Sequence, residues 1–227
     1  MRGELRFCLW LSKDNQEQWE KIQGIKQRVS SCEMWRNEQI KSGDAFKLKD
    51  IPWSFRAQEN PDFALAIPRV SSENREYVPM DILKKDTIIG DSCYILPEAT
   101  NYDFAILTSR MHMCWMRLTA GRLKSDYRYS RDMTFNTFVW PESTESQIEE
   151  ITNQAKDIRR IRARNSSINL GDLYNPDKMP EDLKEAHNNL DLAVERAYRA
   201  EPFKDDEERL SFLLELYSNA VAKKENK

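Results

Sequence analysis

The chain has 227 residues, a formal net charge of −3 and a mean hydropathy of −0.77, and 32% of its residues are charged. This length can bury a real hydrophobic core. The sequence holds neither an apolar run near the ~20 residues that a membrane span needs nor a signal peptide, so we expect a cytoplasmic protein with no membrane partner. Its four cysteines are scattered and form no Cys-x-x-Cys motif, which argues against disulfides and against a zinc site.

The first 40 residues predict a strand followed by a long helix. Arg6–Leu11 alternates apolar and polar or aromatic residues, as is typical of a strand. Asp14 with Glu17 resembles a helical capping box. Apolar residues then repeat at helical spacing: Trp19, Ile22, Ile25, Val29 and Cys32. A long amphipathic helix is therefore expected over residues 15–40.

Short strands and many loops are expected over residues 50–136, where prolines at 52, 61, 68, 79 and 97 interrupt the chain. The predicted strands are Phe63–Ile67, Thr87–Ile89, Ser92–Leu96 and Tyr102–Leu107. Leu107–Thr119 predicts a helix that Thr108 or Ser109 would cap. Loop-rich regions of this kind are typical of surfaces that carry binding residues.

A local excess of positive charge follows. Between Phe104 and Asn136, six arginine and lysine residues stand against two aspartates, interleaved with Tyr127 and Tyr129. A basic stretch in an acidic protein indicates docking of a phosphate backbone, although a solvated charged face is the plainer explanation. Within this stretch four charged residues alternate as on a strand and are expected on one face: Arg122, Lys124, Asp126 and Arg128.

After Pro141 the pattern is helical, with apolar stripes beginning at Ile148, Leu183 and Leu210. Residues 141–227 carry 14 basic and 19 acidic side chains, so the basic surface belongs to the first part of the chain. The patterns together predict an α+β fold. It would have a long N-terminal helix within a short-stranded α/β recognition domain over 1–140, and a small helical bundle over 141–227.

Five motifs also carry a family resemblance. They are Arg6–Leu11, Ile67–Arg75, Leu107–His112 with Trp115, Gly121–Ser130 with Phe138–Pro141, and Leu173–Pro176 with Ala186–Asp191. In their order and spacing, the chain resembles the target recognition domain and C-terminal helical region of Type IIG/IIL (MmeI-like) restriction-modification DNA adenine methyltransferases.

The resemblance implies sequence-specific binding of double-stranded DNA. It assigns base readout to Arg69, Asp91, Ser92, Lys124, Asp126 and Arg128. Contacts with the DNA backbone would come from Arg75, Arg110, Arg117, Arg122 and Arg131. Lysine or arginine donates to guanine O6 and N7 while aspartate accepts from the cytosine amino group, so Lys124 with Asp126 is expected to read one G·C pair and Arg69 with Asp91 another.

The motifs of methyl transfer are missing from the sequence. The six glycines form no Gly-x-Gly turn of the kind that approaches S-adenosylmethionine, and Asn60-Pro61-Asp62-Phe63 is a poor match to a base-flipping loop. We expect no catalytic residue, metal or cofactor in this chain. S-adenosylmethionine would be bound by the methyltransferase domain of a parent enzyme, which would be the second partner.

Two other functions remain open at this point. The chain could be a protein-interaction or assembly module of a phage-defence complex without direct base readout, in which the basic strand is only a solvated surface. It could also be a hydrolase built around His112 and Asp103. For His112, however, a hydrogen-bonded scaffold role is favoured, because no serine, cysteine or acid pair accompanies it at triad-like spacing. His187 is expected to be structural as well, because it packs on a helix face that the resemblance treats as architecture.

Overall fold

The computed structural model describes residues 6–56 and 61–225, and the chain divides near residue 60 into two compact units. Helices dominate and the strands are short, so the predicted α+β class is confirmed. Among the described residues, no helix is both long enough and apolar enough to cross a membrane.

Within residues 6–56, the N-terminal unit contains three helices: α1 (Gln16–Trp19), α2 (Gln23–Asn37) and α3 (Asp44–Lys47). The predicted strand is wrong, because Arg6–Leu11 is irregular. The single long helix is also wrong, because the extended backbone at Ile22, with ψ of 103°, separates α1 from α2. The expected capping box is replaced by a local turn, in which Asn15 Oδ1 accepts from the amide of Ser12 at 2.9 Å.

The second unit begins with β1 (Phe63–Pro68) and β2 (Val70–Ser71), followed by β3 (Asp81–Lys84) and β4 (Cys93–Pro97). Antiparallel pairing gives the strand order β3-β1-β4. Two of the predicted strands are thus confirmed, at 63–67 and 92–96. The strand predicted at 87–89 is wrong, since that segment lies in the loop between β3 and β4.

Two helices follow the sheet, α4 (Asn101–Thr108) and α5 (Arg110–Thr119). Thr100 and Asp103 form a capping box that starts α4, so the strand predicted at Tyr102–Leu107 is wrong. The predicted second helix is confirmed, with Ser109 as its cap: the side chain accepts from the amide of His112.

A small second sheet comes next. It is built from the hairpin β5 (Gly121–Leu123) and β6 (Asp126–Arg128), and β2 pairs with β6 to give the order β2-β6-β5. A short π-helical segment, Arg131–Phe135, follows the hairpin, and its cap Ser130 accepts from the amide of Met133. The hairpin is therefore anchored at both ends, by β2 on one side and by a capped turn on the other.

The C-terminal helices are α6 (Glu145–Arg164), α7 (Leu170–Leu173), α8 (Glu181–Tyr198) and α9 (Asp206–Glu225). The predicted stripes are confirmed at their centres, where Ile158, Leu190 and Leu213 are fully buried. These apolar faces pack against the same core as α4 and α5.

Polar contacts also join the helices to the sheet region. Burial raises the pKa of the Asp191 carboxyl on α8 to about 7, although hydrogen bonds from the Tyr77 hydroxyl at 2.7 Å and the Arg110 amide at 2.6 Å act in the opposite direction. Arg162 on α6 donates to the carbonyl of Met80 at 2.6 Å. The sheets and the C-terminal helices are therefore parts of one core, because their buried polar groups satisfy one another.

Candidate nucleic-acid interface

Arg69 lies where the two sheets meet. It connects β1 to β2, and its amide donates to the carbonyl of Ser92 at 2.9 Å. Its own carbonyl accepts from the amide of Tyr129, directly after β6, also at 2.9 Å. These bonds bring together three predicted base readers, because Arg69, Ser92 and Arg128 are neighbours across strands that the sequence separates by up to 59 residues. Arg69, Asp91, Ser92 and Arg128 are all exposed.

The hairpin presents its charged residues differently from the expectation. Leu123 pairs with Asp126 and Arg122 pairs with Tyr127, with Lys124 and Ser125 forming the turn. Directly opposed residues share a face and successive residues alternate. Asp126 and Arg128 therefore lie on one face and Arg122 on the other. The expectation that all four charged residues share one face of a single strand is wrong.

Lys124 occupies the tip of the hairpin and is exposed. Its φ of 57° lies in the left-handed region, which a residue with a Cβ adopts at a cost. Two-residue hairpin turns need positive φ because only then does the twist of the turn match that of the strands, and glycine or asparagine usually supplies it. A lysine at this position is held away from both sheet faces.

Two guanidinium groups near the hairpin stack on tyrosines. The Arg69 guanidinium lies 4.6 Å from the ring centroid of Tyr94 on β4. Arg122 lies 3.9 Å from the ring of Tyr127 and also donates to the carbonyl of Ser125 at 2.7 Å. Such stacking restricts the side chains while leaving N–H groups for a ligand. Tyr94 is not among the site residues predicted from the sequence, although its position in the predicted strand Ser92–Leu96 was available as a signal.

Tyr129, the residue that follows β6, forms a buried pair with His112. His112 Nε2 lies 2.9 Å from the hydroxyl of Tyr129, and Phe138 contacts the histidine ring edge-on at 4.6 Å. Burial lowers the pKa of His112 to about 3, so this histidine stays neutral. Asp103 accepts hydrogen bonds from Thr100 at the start of α4. The two residues of the hydrolase hypothesis thus have separate structural partners, as the scaffold role of His112 requires.

The remaining predicted backbone contacts divide into two groups. Arg122 and Arg131 are exposed; Arg131 forms an ion pair with the adjacent Asp132 at 3.0 Å, and Arg122 lies 3.7 Å from Glu73. Such surface pairs contribute little to stability and are readily exchanged for a phosphate.

Arg75, Arg110 and Arg117 are engaged within the protein. Arg110 donates to Asp206 and contacts Glu76, and Arg117 lies 3.3 Å from the same Asp206 carboxylate. The hydrogen bond and charge of Asp206 raise the pKa of Arg110. Arg75 donates to the carbonyl of Gly171 at 3.1 Å. These three arginines line a cleft of about 680 Å³, in which Asp206 compensates the charges of Arg110 and Arg117.

In residues 6–56 and 61–225, no group of three or more histidine, cysteine, aspartate or glutamate side chains could hold a metal ion. Cys114 is buried, and burial raises the pKa of its thiol to about 12, so it is a protonated core residue.

The fold described above occurs in the MmeI family of target recognition domains with their helical C-terminal region. The chain belongs to this family. Residues 1–142 match the family described as "MmeI, target recognition domain", and residues 142–224 match "MmeI, C-terminal domain". The resemblance drawn from the five motifs is confirmed.

Two relatives support this membership. "DNA methyltransferase A" of Bacillus subtilis (strain 168) is 43% identical over 221 residues, which cover 96% of this chain and 25% of the relative. The solved structure of the Type IIL restriction-modification enzyme MmeI in complex with DNA superposes with a TM-score of 0.87 at 32% identity, covering 95% of this chain and 29% of that one. The chain thus spans between a quarter and a third of each relative's length.

Proposed function

We propose that this chain is the sequence-specific double-stranded DNA recognition module of a restriction-modification enzyme that methylates adenine. The observation that carries the proposal is the cross-strand junction of Arg69, Ser92 and Arg128, from which the Lys124 hairpin extends. The similarity of the chain to the MmeI target recognition domain, and to the MmeI structure in complex with DNA, supports the same function. The module would dock on duplex DNA with this junction against the edges of the bases.

Base readout follows from the chemistry of these side chains, which are exposed except for the half-buried Asp126. In this proposal, Lys124 at the hairpin tip donates to guanine O6 and N7, and Asp126 accepts from the amino group of the paired cytosine. Arg69, held by Tyr94, and Asp91 beside Ser92 would read a second G·C pair. Arg128 and Ser92 complete the reading set, because both lie next to Arg69 through backbone hydrogen bonds or strand pairing.

In this proposal, the five arginines expected at the DNA backbone divide into two that contact phosphates and three that act from within the protein. Arg122 and Arg131 would bind phosphates directly, since both residues are exposed and the carboxylate near each guanidinium group is a surface one. Arg75, Arg110 and Arg117 would act mainly by holding the recognition region against the C-terminal helices, through Gly171 and Asp206. This assignment refines the role expected of these three arginines from the sequence.

The module would take no cofactor itself. S-adenosylmethionine would bind to the methyltransferase domain of the parent enzyme, which would flip the target adenine while this chain sets the register on DNA. Calorimetric titration of the isolated chain with S-adenosylmethionine should therefore give no heat of binding. A micromolar isotherm would contradict this division of labour.

The decisive experiment is selection of bound duplexes from a randomised pool at two salt concentrations. The wild-type chain should enrich one sequence, and log affinity should fall with log salt. The exchange Lys124→Glu with Asp126→Arg should invert one G·C preference to C·G. Each single change should weaken the original site about ten-fold or more, because one wrong contact costs ~1–3 kcal/mol.

Two further variants provide the controls. Arg131→Ala should weaken all duplexes alike, as expected of a phosphate contact. Lys178→Ala removes a similar exposed charge, whose partner is Asp172 on α7, and should leave binding unchanged. An unchanged selected sequence in the double exchange would remove Lys124 and Asp126 from the readers. Binding with no dependence on salt would favour the assembly-module alternative.

A further inference from the structure

The outer face of the hairpin sheet is half apolar. Leu123 pairs directly with Asp126, and Val70 on β2 pairs directly with Arg128. Paired residues share a face of an antiparallel ladder, with Cβ atoms about 4.5–5.5 Å apart. One surface therefore alternates a leucine, an aspartate, an arginine and a valine. Gly121 lies opposite Arg128 on the same face and leaves it flat.

These apolar side chains are exposed to solvent. Leu123 is 51% exposed and Val70 is 39% exposed, whereas Ser71, on the opposite face of β2, is only 4% exposed. A single exposed leucine on a protein surface is ordinary. Here, however, two apolar side chains lie within one side-chain length of two charged groups that the proposed function assigns to base reading.

The charged side chains of the proposed interface recognise G·C pairs, so recognition of A·T pairs requires other groups. Arginine, lysine and aspartate distinguish G·C from C·G, but an A·T pair presents the C5 methyl group of thymine in the major groove. A leucine or valine can bury that methyl group, and no charged side chain on this face can do so favourably. We propose that Leu123, with Val70 beside it, contacts thymine methyl groups and reads A·T pairs adjacent to those contacted by Asp126 and Arg128.

This inference rests on the proposed function, and one change in the DNA isolates it. Replacing thymine by deoxyuridine deletes the methyl group and leaves every base-pair hydrogen bond intact. Burial of one such group corresponds to about a four-fold change in affinity. In the sequence selected by the wild-type chain, deoxyuridine at one or two thymine positions should weaken binding three- to five-fold, and the other thymine positions should not respond.

Variants of the protein locate the contact. Leu123→Ala should bind the thymine duplex three- to five-fold more weakly and should not distinguish it from the deoxyuridine duplex at the affected position. Leu123→Met keeps an apolar side chain of similar size and should retain the distinction. Leu118→Ala is the matched control, because Leu118 on α5 is also 51% exposed but lies outside the hairpin sheet, and it should behave as wild type.

The outcomes separate this inference from the proposed function. If the wild-type chain selects no sequence at any salt concentration, the proposed function fails. If it selects a sequence, but deoxyuridine at every thymine leaves the affinity unchanged, the assignment of Leu123 and Val70 is overturned while the base-reading module stands. Sensitivity to deoxyuridine that persists in both Leu123→Ala and Val70→Ala would overturn it as well. The wild-type measurement needs no variant, so a folding defect in Leu123→Ala cannot obscure the result.

Discussion

Replacing Arg162 by methionine should destabilise the unit that follows residue 60. Arg162 on α6 is 6% exposed, donates to the carbonyl of Met80 and to the hydroxyl of Tyr174, and lies over the ring of Phe104 at 5.0 Å. Methionine preserves most of the apolar stem but supplies no donor. The substitution therefore isolates the polar contribution of a buried cation that joins the C-terminal helices to the sheet.

The magnitude follows from its two acceptors. A hydrogen bond from a charged group contributes about 1.5–3 kcal/mol, so two acceptors give roughly 3–6 kcal/mol before the relief of desolvating the guanidinium is subtracted. We expect the free energy of unfolding to fall by about 3 kcal/mol, the lower end of this range, because the Tyr174 hydroxyl keeps its hydrogen bond with His187 at 2.7 Å. For a unit of this size that corresponds to a fall in Tm of roughly 6–12 °C.

Urea unfolding followed by circular dichroism, with calorimetry for Tm, measures the effect. Arg160→Met is the matched control: it lies two residues earlier on the same helix, its side chain is 61% exposed, and its partner is Asp157. That change should stay within about 0.5 kcal/mol. If Arg162→Met unfolded at the wild-type urea midpoint with an unchanged slope, the Arg162 contacts would contribute nothing net to the joint core.

Three other changes test separate features. Asp191→Asn should remove one component of the pH dependence: because burial raises the pKa of Asp191 to about 7, ionisation of this carboxyl disfavours the folded state as pH rises from about 4 to 7. The free energy of unfolding of the variant minus that of the wild type should therefore increase over that range in urea titrations, because the opposite contribution of the buried His112 and His187, whose pKa values burial lowers, is common to both proteins. Truncation after Pro141 should abolish cooperative thermal unfolding, since it removes every partner of the core on α6, α8 and α9; a well-folded fragment would contradict the shared core. Lys124→Gly should relax the left-handed φ of 57° and raise stability by up to ~1 kcal/mol, yet weaken binding to the selected duplex; an unchanged affinity in anisotropy titrations would argue against a role for the hairpin tip.

Periodicity predicted the elements that bury one face only. The strand at 63–67 is buried from Ala64 onward and was located by the prolines at 61 and 68 that bound it. The stripes of α6, α8 and α9 could be located because each alternates between core and solvent. Helix α4 could not, because Phe104, Ala105, Ile106 and Leu107 are all fully buried. A run that is apolar on every side has no period, so a strand and a buried helix look alike in sequence.

The candidate site was predictable in residue type more than in geometry. The hairpin turn at Lys124 lacks the Asn-Gly or Asp-Gly signal that usually marks such turns, so one alternating strand was the natural interpretation. The pairing of Arg110 within the protein could not be predicted, because its partner Asp206 lies 96 residues later in the chain. The adjacency of Arg69 and Ser92 came from strand pairing, which local patterns do not encode.

The shared core has a consequence for how the protein is made. The hydroxyl of Tyr77 donates a hydrogen bond to Asp191, which lies 114 residues later in the sequence. The carbonyl of Met80 accepts one from Arg162, which lies 82 residues later. At about 5–20 residues per second, a ribosome needs roughly 6–23 s to add the residues between Tyr77 and Asp191. During that interval the apolar side chains of β1 and α4 have been synthesised but their helical partners have not. The apolar surface of β1 and α4 therefore stays uncovered until the helices that follow Pro141 have been synthesised, and the shared core cannot be completed before then.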